Sequence, residues 1–99
     1  MLVKALKLIS GEELIGEVLD EDYQVVNVRN LLAIMIQRTP TGDLNVGFIP
    51  FAPYLGKNTT FEFKREQLLF VKEVDDQMAN QYNSIFGGLV VPPKTLLVG

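Results

Sequence analysis

The side chains able to do chemistry are few and of limited kinds. The chain has no histidine and no cysteine, which removes the commonest general base and metal ligand and any disulfide or thiolate chemistry. Its only serines, Ser10 and Ser84, therefore have no imidazole partner, and no glycine loop followed by Lys and Ser/Thr is present to cradle phosphates. Glu17, Asp20, Glu21 and Asp22 gather the oxygens a hard cation wants, but without calcium-loop spacing, and they read as a solvated hairpin tip. Nothing sets a second carboxylate across a cleft for hydrolysis. No catalysis, metal or cofactor is expected. Recognition chemistry remains. Asp22 and Asn27 can hydrogen-bond a base edge or ribose, or serve a turn. Tyr23 can stack on a base or cover a sheet. Lys64 and Arg65 can meet a phosphate or base, or form a solvated charged turn. Arg29 and Arg38 are isolated additions to such a rim.

The elements that must position these residues fit one small domain. With 99 residues, a chain buries only about 60–65% of its unfolded surface. Yet 47% of residues are hydrophobic and mean hydropathy is +0.19, more apolar surface than one modest core hides. Such an excess points to a partner or to self-association. The net charge of −3 and pI near 4.8 give no general attraction to nucleic acid, leaving only a local basic rim for that purpose. The longest apolar run, Leu31 to Ile36, is far below the roughly 20 residues of a membrane span. Lys4 and Lys7 interrupt any signal-peptide pattern. A soluble cytoplasmic protein is expected.

The pattern along the chain is five or six short strands, then one helix. Leu2 to Ile9 reads as a strand with Leu6 and Leu8 on one face. Ser10-Gly11-Glu12 supplies a turn. Glu13 to Leu19 alternates, with Leu14, Gly16 and Val18 facing one way and Glu13, Ile15, Glu17 and Leu19 the other. A glycine within such a strand signals a bulge, a sharp bend or close backbone approach, and a short sheet that bends hard can curl on itself. Asp20-Glu21-Asp22 reads as a turn. Tyr23 to Gln37 follows, with Val26 and Val28 opposed to Val25, Asn27 and Arg29, a bend at Asn30, and Leu31 to Ile36 covered on both sides. A helix competes for that last segment. Its β-branched residues and the Thr39-Pro40-Thr41-Gly42-Asp43 turn favour strand.

Leu44 to Phe51 forms the next strand, which Pro50 confines to an edge or ends. After a loop over 52–60, Phe61–Phe63 and Leu68–Val71 flank the charged turn Lys64 to Gln67. Asp75 or Asp76 caps a helix to about Phe86, with Met78, Tyr82, Ile85 and Phe86 on one face and Gly87-Gly88 as its stop. Leu89 to Gly99 is an apolar tail without a clear period.

A strand, then Gly11, Leu14, Gly16, Val18 and Asp22 resembles the first signature motif of the Sm-like (LSm) family. That motif has a turn glycine, a second glycine five residues on and an aspartate six further. The family's asparagine lies four beyond the aspartate. Here Val26 occupies that place and Asn27 follows, so Asn27 matches if the turn carries a bulge. Phe61–Phe63, Lys64-Arg65-Glu66 and Leu68–Val71 are similar to the second motif, with Arg65 standing where that motif has glycine and a longer spacer before it. The family's helix precedes the barrel, whereas this helical pattern follows it. These departures look like the divergent Sm-like proteins of bacteria and phages.

The resemblance, which covers roughly Leu2 to Val74, implies a strongly bent five-stranded open barrel over 1–74. The helix and tail of 75–99 would then pack on the barrel or on a neighbouring subunit. It implies a homo-oligomeric ring, pentamer to heptamer, whose members bind single-stranded U-rich RNA without catalysis, as a chaperone or regulator. Asp22, Tyr23, Asn27, Lys64 and Arg65 are the residues it nominates for RNA. The alternative is a ring scaffold for protein–protein interaction without RNA binding.

Overall fold

The computed structural model describes residues 2–55 and 59–86. β1 (Leu2–Leu8) and β2 (Glu13–Glu21) form an antiparallel hairpin around Gly11, whose φ of 108° lies in the region glycine reaches without steric cost. Leu6 pairs with Leu14, and both are buried with Val18 on one face. Ile15 points to the other face, as the alternation requires. β2 runs through Asp20 and Glu21, so the turn expected there begins at Asp22 instead.

β3 (Val25–Arg38) is one continuous strand of 14 residues, a correction to the expected set of short strands. β2 lies along one side of it. On the other side, β4 (Leu44–Pro50) pairs with Leu32–Arg38 and β5 (Thr60–Lys64) with Val25–Arg29. The bend does fall at Asn30, whose φ of 54° is left-handed, a conformation asparagine tolerates better than most residues. From Glu17↔Arg29 to Ile15↔Leu32, β3 advances three residues against two on β2, which is a bulge. Gly16 sits opposite that bulge. A Cβ there would lie 2.4 Å from Val28 Cγ1 and 3.2 Å from the Arg29 carbonyl oxygen. Close approach, not its own torsion, requires this glycine.

After β5, a 3-10 turn (Arg65–Gln67) leads into β6 (Leu68–Glu73), which pairs with β1. The sheet order is β4-β3-β2-β1-β6, with β5 also on β3. The sheet curls far enough for Phe61 and Phe63 of β5 and Leu68 and Val71 of β6 to pack on the same cluster. Its buried members are Leu6, Leu14, Val18, Val26, Val28 and Leu31. Among the described residues no ladder joins β5 to β6, so the sheet is not closed.

The opposite face carries a second cluster, Ile15, Leu32 and Tyr82, covered by α1 (Asp76–Phe86). Asp75 caps this helix, its Oδ1 accepting the Met78 N–H at 2.8 Å. Met78, Tyr82 and Phe86 make the contact with the sheet. Ile85, expected with them, is 53% exposed. It lies about 60° around the helix from Tyr82 at 100° per residue, on the rim of the buried stripe. The helix therefore packs on its own sheet. Its expected Gly87-Gly88 stop and the tail lie outside the described residues.

The expected two-sided cover of Leu31 to Ile36 also ends early. Leu31 and Ala33 meet the first cluster, Leu32 and Ile34 the second. Met35 and Ile36 are 44% and 50% exposed, because pairing with β2 stops at Ala33 and only β4 continues alongside.

Candidate functional site

The β2–β3 turn and the 3-10 turn before β6 meet at one end of the sheet. Pairing of β5 with the first half of β3 brings Lys64 opposite Val25, and the Arg65 N–H donates to the Gln24 carbonyl at 2.9 Å. The Arg65 side chain reaches the same turn. Its Nε donates to the Asp22 carbonyl at 2.8 Å and its NH2 to Glu21 Oε1 at 2.7 Å. Lys4 of β1 approaches the other Glu21 oxygen at 2.5 Å. One carboxylate thus ties together β1, β2 and the 3-10 turn. The hydrogen bond from Lys4, with that from Arg65, holds the Glu21 carboxyl below its ordinary range despite some desolvation.

Asp22 performs turn chemistry. Its Oδ1 accepts the N–H groups of Gln24 at 2.7 Å and Val25 at 2.8 Å, and these two bonds hold its pKa low, with Arg65 adding a smaller effect. Tyr23 projects from the tip of the turn, 87% exposed. β2 carries a bulge before the turn rather than in it: Val18 pairs with Val28, yet Asp20 pairs with Asn27, leaving Leu19 as the extra residue. The result differs from the motif. Asn27 Nδ2 donates to Asp20 Oδ1 at 2.7 Å, so Asp20 rather than Asp22 is its partner. Lys64 is exposed on β5, and its backbone N–H is held by Gln67 Oε1 at 3.1 Å.

All five nominated residues therefore gather at one end of the sheet. Three of them already use part of their bonding capacity. Among the described bonds, Asp22 keeps a second carboxylate oxygen, Asn27 its amide oxygen and Arg65 further N–H donors. Such a surface can take a planar group with donor and acceptor edges against Tyr23, beside a cation for an anionic group.

Three contributors were not legible in the sequence. By type and position Glu21 and Asp20 read as acids of a hairpin tip, and Lys4 only as a charge that interrupts an apolar run. Their spacing carries no signal, because the contacts between Arg65 and Glu21 and between Lys4 and Glu21 depend on how far the sheet curls. Arg29 lies two residues along β3 from Asn27, its Nε donating to Glu17 Oε1 at 3.2 Å. Arg38 lies at the tip of the β3–β4 hairpin, donating to the Gly42 carbonyl, and does not join the rim expected for it. Among the described residues no three carboxylates converge as a metal site, and no helix is long and apolar enough to cross a membrane.

Over the described residues the chain is thus a mainly β protein, an antiparallel six-stranded sheet carrying a helix after its last strand. No protein-family model matches it, and no curated protein matches it.

Proposed function

We infer that this chain is a non-catalytic RNA-binding protein of Sm-like type. The curled sheet acts as that family's open barrel, and copies join edge to edge into a homo-oligomeric ring, pentamer to heptamer. Single-stranded U-rich RNA binds at Asp22, Tyr23, Asn27, Lys64 and Arg65, and the ring serves as a cytoplasmic RNA chaperone or regulator of bacterial or phage transcripts. The observation that supports the RNA reading is the meeting of the two turns. Chain segments far apart in sequence bring a bare aromatic ring, carboxylate and amide oxygens and two cations to one patch. Stacking on Tyr23 and charge-assisted bonds to Lys64 and Arg65 are the contacts a single strand uses. The edge reading draws support from β4 and β6, each paired on one side only among the described residues, and from Leu69, 62% exposed on β6. Such an edge-to-edge contact is heterologous and closes when the rotation permits.

A fluorescence-anisotropy titration with short U-rich RNA tests this, with A-rich RNA and matched DNA as controls at two salt concentrations. Saturable binding that prefers U-rich RNA is expected, weakening with salt by a log–log slope of about −0.7 per phosphate neutralised. Tyr23→Ala and Lys64→Ala should each reduce it. No binding at low salt would overturn the RNA reading.

A second reading, the ring as a protein-interaction scaffold, is favoured by one observation. Arg65 and Asn27 already bond Glu21 and Asp20, on a chain of net charge −3. An intact oligomer that ignores RNA would select it.

A further inference from the structure

The turn joining β3 and β4 fixes which way the β4 backbone faces. The Thr39 N–H donates to the Asp43 carbonyl at 2.8 Å, and the Gly42 N–H to the Thr39 carbonyl at 2.9 Å. Thr39 and Asp43 are therefore a bonded pair closing the hairpin. Bonded and non-bonded pairs alternate along an antiparallel ladder. Following the register from that pair, Gln37–Asn45, Met35–Gly47 and Ala33–Ile49 are bonded. Leu44, Val46, Phe48 and Pro50 then turn their backbone polar groups away from β3. Pro50 agrees, since a residue with no N–H costs the ladder nothing at an outward position.

The centre of this outward row is already occupied. Gln81 of α1 donates from Nε2 to the Val46 carbonyl at 3.1 Å. The helix that presents it is anchored one residue away. Tyr82 is fully buried, its hydroxyl donates to the Asn30 carbonyl at 2.5 Å, and its ring meets Phe48 of β4 edge-on at 6.5 Å. A strand adding to β4 would place one of its own N–H groups where the Gln81 amide now sits.

We propose that Gln81 is a latch on the β4 edge: it holds the Val46 carbonyl that the edge strand of a second copy must bond, so copies join there only when Gln81 swings out. This rests on the self-association reading above. Covering an edge in this way restrains indiscriminate strand pairing and sets the concentration at which assembly begins.

The test is sedimentation velocity of the full chain over a wide concentration range, for wild type, Gln81→Ala and Gln81→Met. Alanine is the best helix former and methionine keeps the side-chain length without a donor, so both helices stay formed, as circular dichroism will verify. Both variants should assemble at about fivefold lower concentration than wild type, the equivalent of about one net hydrogen bond. An unchanged midpoint in both, with wild type still assembling, would overturn the latch and leave self-association standing. A raised midpoint would make Gln81 part of the contact and also overturn it. Monomers at every concentration in all three chains would remove self-association and the latch together.

Discussion

The two halves of β3 both alternate, one residue out of step across Asn30, and to opposite ends. Before Asn30 the strand runs between β2 and β5. Val26 and Val28 are fully buried on one face, while Asn27 and Arg29 on the other find Asp20 and Glu17. After Asn30 the alternation resumes one residue out of step, so that Leu31 and Ala33 take the face of Val26 and Val28, but β2 stops at Ala33 and β4 alone accompanies the strand to its end. Met35 and Ile36 are left exposed, beside an outer edge that only Gln81 touches among the described bonds. Alternation decides where a side chain points. Whether anything meets it there is decided by neighbouring strands, which are placed by contacts distant in sequence. The near half is consequently a polar end whose side chains find partners on neighbouring strands, and the far half an apolar edge left exposed among the described residues.

Removing the helix anchor should disturb the far half most. Tyr82→Ala empties the centre of the second cluster and leaves the Asn30 carbonyl without its partner. A loss of about 3–5 kcal/mol is expected from the shift in denaturant midpoint. The turn bonds around Asp22 should persist, visible as unchanged amide shifts of Gln24 and Val25. If those shifts moved with the helix, the halves would not be separable.

Next in size is a change at the boundary itself. Gly16→Ala drives a methyl into Val28 and the Arg29 carbonyl and should destabilise by about 1–3 kcal/mol. A neutral result would mean the bend does not depend on close approach. In the near half, Arg65→Ala removes a partly exposed pair with Glu21, worth about 1 kcal/mol or less to the fold, while RNA affinity should fall measurably. Loss of stability without loss of RNA binding would reduce Arg65 to a structural tie.

Acid should erode the same end. Glu21 and Asp22 have folded pKa values held below their ordinary 4.5 and 3.8. Their contribution is therefore complete above those values and is lost as pH falls through them toward the depressed folded values. A urea-midpoint series from pH 6 downward should show this, and Glu21→Gln should flatten part of the slope. An unaltered slope in that variant would place the acid sensitivity elsewhere.

Much of this was legible residue by residue. Gly16 announced a bulge, a bend or close approach, and Asn30 a bend, since few residue types tolerate what those positions demand. Gly11 marked a turn, Pro50 an edge or strand end, and Asp75 or Asp76 a helix cap, through local bonding alone. Contacts set by the curl were not legible. The Asn30 carbonyl waits for Tyr82, 52 residues on, and Gln81 reaches Val46 across 35. The exposure of Ile85 follows from its place on the rim of the stripe that the helix buries. In the candidate site, Asp22 behaved as its residue type suggests, whereas Asn27 took Asp20 because a single extra residue, Leu19, reset the register.

The most direct measurement of edge-to-edge assembly is the sedimentation-equilibrium mass of wild type beside Val46→Pro. The substitution removes an outward N–H and spares the bonded pairs with β3. A pentamer to heptamer of the 11.1 kDa chain is expected for wild type, and a folded monomer for Val46→Pro. A folded Val46→Pro that keeps the wild-type mass, or a wild type that stays monomeric at high concentration, would contradict assembly through this edge.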